Sequence, residues 1–232
     1  MAMRAHLSEL RTRMFRMASA VAVGTVIAFT FSEQLLDFIT EPYKAATDGG
    51  ELAFFKVTDA FSAVMRVSLF GGIILASPVI LYQLWKYVAP ALSGKEKRWA
   101  YPISAVLALL FLFGSFVGYI ALQRGLGFLL DFGGESLTPI IGISAYMQFA
   151  TRFILAFGIA FEFPVFLFAA AAIGVVDSRK LRSNRRWAVI IILVSAAIIT
   201  PSGDPLTLMM LAGPLYVLYE LSILAIRFLL RR

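Results

Sequence analysis

The chain has 232 residues, of which 60% are hydrophobic and 15% charged, with a mean hydropathy of +0.84 and a formal net charge of +7. A soluble domain is about 45–50% apolar and about 25% charged, so this composition describes an integral membrane protein, read as a single membrane domain over residues 1–232. The absence of cysteine excludes disulfides, thiol catalysis and thiolate metal sites, and a lone histidine, His6, cannot build a histidine metal centre.

A helix needs about 20 apolar residues to cross the hydrocarbon. Six segments are candidates, near 14–31, 61–84, 101–122, 145–176, 187–200 and 206–226. The first has a basic start and an Ala18-Ser19-Ala20 that imitates a signal-peptide cleavage site. The triplet precedes the apolar run instead of following it, so the segment reads as a span. Ahead of it, Glu9 and Arg13 stand four apart. On a helix they form an i,i+4 pair, or else Glu9 faces an incoming cationic ligand.

The first outer loop contains EQLLDFITEPYK, in which Leu35, Leu36, Phe38 and Ile39 alternate with acids at roughly helical spacing. This predicts a short helix on the outer surface, ended by Pro42. Span two carries Gly72-x-x-x-Ala76 and span three Gly114-x-x-x-Gly118, spacings that let helices approach closely. We assign them to packing within the chain, not to a dimer seam. Between these spans lies YQLWKYVAPALSGKEKRW, where an aromatic cluster of Tyr82, Trp85 and Tyr87 leads to Glu96 among lysines and arginine.

Span four is long, and Pro164 is expected to kink it and free the carbonyl of Ala160; Pro78 and Pro214 would act similarly in spans two and six. Span four also holds Glu162, an acid at a depth where insertion costs roughly 2.5–3.5 kcal/mol. Gln148 falls on the same side of a continuous helical wheel. Span five is only about 14 residues, short of the hydrocarbon thickness. The turn TPSGDPL before span six places Asp204 ahead of Pro205, a common structural arrangement.

An even number of spans puts both termini on one side. Sixteen of the 21 Lys and Arg residues fall at the N-terminus, after span two, after span four and at the C-terminus. The positive-inside rule therefore places both termini in the cytoplasm. The motifs of nucleotide use, metalloproteases and serine hydrolases are missing. No catalytic constellation, metal site or cofactor is predicted, and the basic charge belongs to membrane topology and not to nucleic acid.

Together these pieces resemble the TatC family, the multi-spanning core subunit of the twin-arginine protein translocase. The elements that carry the resemblance are His6-Leu-Ser-Glu9-Leu-Arg11, Glu41-Pro42, Ser77-Pro78 through Trp85, Ala89-Pro90-Ala91-Leu92 with Glu96, Phe161-Glu162-Phe163-Pro164, and Thr200-Pro201 with Asp204-Pro205. They occur in family order over nearly the whole chain.

The resemblance implies an all-α polytopic bundle of six transmembrane helices, concave and glove-like, in the cytoplasmic membrane. It implies recognition of signal peptides bearing two consecutive arginines through Glu9 and Glu96, with Arg11 and Tyr87 at other binding positions. It further implies functionally sensitive positions at Pro42, Tyr119 and Asp204, and an intramembrane acid on the concave face at Glu162, near Gln148. TatA- and TatB-like single-span subunits and other copies of the chain are the implied partners. Leu208 stands where many members carry glutamine, so that amide is not offered to such subunits here. Without a nucleotide site, export would draw on the proton-motive force. The competing readings are a proton-coupled secondary transporter using Glu162, and an insertase whose only cationic candidate is Arg152.

Overall fold

The computed structural model describes residues 2–88, 100–131, 139–200 and 204–230. These residues are mostly helical, with no strand among them beyond one isolated bridge. In order the helices are α1 (Ala2–Thr30), α2 (Ser32–Ala46), α3 (Asp59–Val88), α4 (Ala100–Asp131), α5 (Ile143–Ala160), α6 (Phe163–Ala172), α7 (Ser178–Ser183), α8 (Arg185–Ile199) and α9 (Pro205–Ala225), which ends in a π turn, Ile226–Leu230.

Among the described residues, five segments are long and apolar enough to cross a bilayer: Ser8–Thr30, Asp59–Tyr87, Ile103–Asp131, Ile143–Ala172 and Pro205–Phe228. The remaining predicted span, span five, corresponds to α8, whose 15 residues reach only about 22 Å. It packs against α9. At one end of that pair the Arg185 guanidinium donates to the Glu220 carboxylate at 2.6 Å, and the Tyr219 hydroxyl donates to the Leu181 carbonyl at 2.7 Å. The carboxylate of Glu220 raises the Arg185 pKa through this hydrogen bond.

Lipid tails are as apolar as leucine, so helices in a bilayer associate through close van der Waals fit. The glycines supply that fit. A Cβ on Gly24 would lie 2.7 Å from the Gly72 carbonyl oxygen, and one on Gly72 would lie 2.5 Å from the Thr25 backbone nitrogen. Helices α1 and α3 therefore touch backbone to backbone. A Cβ on Gly114 would meet Phe161 at 2.6 Å, and one on Gly118 would meet Phe157 at 2.7 Å. The Gly114-x-x-x-Gly118 face is thus the seat of α5 on α4, packing within the chain as its spacing predicted. Phe153, Phe157 and Phe161 are fully buried there, with the first two rings 4.8 Å apart.

The prolines behave differently from one another. At Pro78 α3 continues, because the Ser77 hydroxyl donates at 2.7 Å to the Ile74 carbonyl, the group Pro78 leaves without its helical donor. Before Pro164 the helix is interrupted at Phe161 and Glu162, both of which keep helical dihedral angles. Helix α5 ends at Ala160 and α6 starts at Phe163, with Glu162 between them at the N-cap position. Pro42 does not end its helix as expected: α2 runs through it to Ala46. Its missing N–H would have served the Phe38 carbonyl, and that oxygen instead accepts from the Tyr119 hydroxyl of α4 at 2.9 Å. A tertiary donor replaces the helical one, so the helix has no reason to stop.

The outer connections are tied together as well. Ala53 N donates to the Ile141 carbonyl and Ile143 N to the Ala53 carbonyl, at 2.9 and 3.0 Å. The Asp59 carboxylate accepts from the backbone N–H of Phe55 and of Lys56, both at 2.9 Å.

Candidate functional site

The N-terminal turns of α1 lie beside the C-terminal end of α3. Arg13 is buried there, and its Nε donates to Glu9 Oε1 at 3.1 Å. Its Nη2 bonds the same oxygen and forms an ion pair with it. Its Nη1 reaches Gln83 Oε1 on α3 at 3.4 Å. Of the two readings left open for Glu9, the i,i+4 pair is formed: its carboxylate takes the guanidinium of Arg13, on the same helix. The Glu9 side chain keeps 42% of its surface accessible. Gln83, buried at 8% exposure, fell within the motif from Ser77 to Trp85 but was given no role of its own. The clue was its place in the aromatic run that ends α3, facing a span that begins with basic residues.

Arg11 is exposed and borders a shallow depression with Leu10, Met14, Phe15 and Ala18. Glu96 and the segment Ala89–Leu92 lie outside the described residues, as does Pro201.

Deeper in the bundle Glu162 is buried at 3% exposure. Its backbone is paired: its N–H donates to Ile159 and its carbonyl accepts from Val165 and Phe166. Neither carboxyl oxygen has a hydrogen-bond partner among the described residues. Both Glu162 and Tyr87 line a cavity of about 150 Å³ between α3, α4 and α6. Gln148 is half-buried on α5 and does not line this cavity. The shared face predicted for the two residues assumed an unbroken helix, and the α5–α6 break removes that premise.

Pro42 and Tyr119 meet through the Phe38 carbonyl, and the Phe38 and Tyr119 rings stack at 4.3 Å. Tyr146 of α5 adds a second tether, donating to the Ile39 carbonyl at 2.7 Å. Two tyrosines thus fasten the outer helix α2 to the bundle at its proline. We expect Tyr119→Phe to cost about 1 kcal/mol of stability, the usual net worth of such a bond. The loss should shrink in a Pro42→Ala background, where residue 42 regains an N–H for the Phe38 carbonyl. Thermal melts of the two single variants and the double variant provide this check, and equal losses in both backgrounds would refute the coupling.

Asp204 caps α9. Its carboxylate accepts from the Thr207 backbone N–H at 2.8 Å and from the Thr207 hydroxyl at 2.5 Å, while Pro205 occupies the first turn. This arrangement satisfies orphan donors at a helix start. Leu208, one turn into α9, packs partly buried against the main core. Among the described residues no group of three or more His, Cys, Asp or Glu side chains could hold a metal ion.

Comparison with known proteins supplies the remaining finding. Residues 5–214 match the family model for the Sec-independent protein translocase protein (TatC). The TatC protein of Desulforapulum autotrophicum is 41% identical over 224 residues, which cover 96% of this chain and 83% of the relative. That of Carboxydothermus hydrogenoformans is 34% identical over 97% of this chain and 92% of its own. A crystal structure of the twin arginine translocase receptor TatC in DDM superposes with a TM-score of 0.81 at 37% identity, covering 95% of this chain and 99% of that one.

Proposed function

The chain belongs to the TatC family, the core component of the Sec-independent, twin-arginine translocase, and from that premise we propose that it is the receptor for signal peptides carrying paired arginines. It is a multi-pass membrane protein of the protein-transport machinery. Family membership replaces the secondary-transporter reading, which nothing in the comparisons favours.

In this proposal six helices cross the cytoplasmic membrane, α8 being the short crossing, and both termini face the cytoplasm under the positive-inside rule. The chain acts by binding and assembly, not as an enzyme. It gathers TatA- and TatB-like single-span subunits and further copies of itself, and the proton-motive force drives export of folded cargo.

The observation that carries the proposal is the Glu9 carboxylate, which takes a guanidinium in this structure. Carboxylates and guanidinium groups match in bidentate geometry. Glu9 and Glu96 then offer two local acids for two arginines on an otherwise basic face, and the surrounding bases repel cationic peptides that lack the pair. Arg11 lies two residues from Glu9 on α1, and Tyr87 one turn beyond Gln83 on α3.

Crosslinking of a signal peptide to the full chain in membranes tests it. A peptide with Arg-Arg should crosslink strongly and one with Lys-Lys weakly, because an ammonium cannot reproduce the planar fork. Equal yields from the two peptides would refute guanidinium recognition.

A further inference from the structure

The guanidinium that Glu9 takes is the chain's own. Arg13 donates through Nε and Nη2 to Glu9 Oε1, and its Nη1 reaches the other way, to Gln83 Oε1 on α3 at 3.4 Å. An i,i+4 ion pair on an open helix surface is weak and screened by salt. This pair is not of that kind. Arg13 and Gln83 are buried, at 7% and 8% exposure, whereas the Glu9 side chain keeps 42% of its surface. The cation is held between two helices, and the acid stays open to an incoming group.

A peptide arginine arriving at Glu9 therefore meets a carboxylate that already has a guanidinium. The resident group has two advantages over a dissolved cation. It is tethered four positions away on the same helix, about 6 Å by rise, so its effective concentration at the carboxylate exceeds that of a free ligand. It also gives Oε1 two N–H bonds from one planar fork, which an ammonium, a hydrated point charge, does not match. A lysine side chain is thus a poor displacer. A peptide guanidinium offers the same fork, and in an arginine pair its neighbour tethers it in turn. Gln83 completes the exchange. Its bond to Arg13 is at the long end of hydrogen-bond distance, so it has room to tighten when Glu9 turns to the peptide.

We propose that Arg13 is a specificity-determining residue: a resident guanidinium that Glu9 releases to a peptide arginine but not to a peptide lysine, with Gln83 retaining Arg13 during the exchange. The proposal rests on the reading of Glu9 as a peptide contact and adds a threshold to it. A cation must not only fit the carboxylate but also displace a tethered arginine from it.

Arg13→Gln removes the competitor and keeps an amide donor for Gln83. Arg-Arg and Lys-Lys signal peptides are crosslinked side by side to the full chain in membranes, with yields taken per folded protein. The Lys-Lys yield should rise, and the ratio of Arg-Arg to Lys-Lys yields should fall by about tenfold, the equivalent of one charge-assisted hydrogen bond. Arg13→Lys leaves an ammonium as the resident, so the ratio should fall less far; this variant keeps the test decisive if Arg13→Gln does not fold. Gln83→Leu takes away the acceptor on α3 and should lower the Arg-Arg yield. A merely structural role for Arg13 would lower both peptides in proportion. A ratio unchanged in both Arg13 variants would overturn the proposal, and an Arg-Arg yield untouched by Gln83→Leu would strike Gln83 from the exchange. Equal yields of the two peptides in the parent chain would instead refute guanidinium recognition itself, so the two failures are distinguishable.

Discussion

Glu9→Gln is expected to lower crosslinking of an Arg-Arg signal peptide by about ten- to a hundredfold, the equivalent of one charge-assisted hydrogen bond of about 1.5–3 kcal/mol. The substitution is chosen for Arg13. That guanidinium is buried and donates twice to Glu9 Oε1, so Glu9→Ala would strip it of an acceptor and confuse a folding defect with a recognition defect. Glutamine keeps a carbonyl oxygen for Arg13 and removes only the charge. Glu9→Gln should therefore melt near the parent temperature while losing peptide, whereas Glu9→Ala should lose both. Glu96→Gln should lower crosslinking by a similar factor. If the two carboxylates take separate arginines, the losses multiply in the double variant, since distant sites add in free energy. Undiminished crosslinking in Glu9→Gln, Glu96→Gln and the double variant would eliminate this acid pair as the binding site and leave the family assignment intact.

Gly72→Ala is expected to lower the melting temperature by roughly 2–12 °C, from an overpacking cost of about 1–3 kcal/mol at about 2–4 °C per kcal/mol. The sign is the informative part. Inside a helix, glycine to alanine ordinarily stabilises by roughly 0.5–1 kcal/mol. Here the added methyl would lie 2.5 Å from the Thr25 backbone nitrogen and 2.7 Å from its Cα. Those atoms belong to a helix backbone and cannot rotate away, so α1 must move off α3. Gly127→Ala on α4, where a Cβ meets nothing within 4 Å, is the matched control and should hold or raise stability. Because α1 carries Glu9 and α3 carries Gln83, Gly72→Ala should also weaken peptide crosslinking although it touches no binding residue. Stabilisation by both substitutions would refute the backbone contact.

Much of this molecule was legible in the chain. Continuous apolar runs have one solution in a bilayer, because a helix alone pairs every backbone group within the segment. The long apolar helices could therefore be located from composition. Small residues at four-residue spacing announced close helix contacts, and Asp204 before Pro205 announced a structural turn. Ordered motifs from His6 to Pro205 pointed to the family that the comparisons then found.

Other features depended on groups far apart in sequence, and periodicity has no access to those. Whether a proline ends, bends or merely crosses a helix is decided by who satisfies the carbonyl it orphans. Ser77 does so for Pro78 from one residue away, whereas Pro42 relies on Tyr119, whose hydroxyl arrives from α4. Glu162 and Gln148 share a face only on a regular helix, and the helix is interrupted at Phe161 and Glu162. Glu220, an acid within span six, drew no attention until α8 brought Arg185 to it. Local sequence determined which segments are helices, since that depends on each residue's own transfer energy. Tertiary structure alone decided which polar groups are partnered, because a hydrogen bond needs its two ends within about 3 Å and only the folded bundle sets that distance.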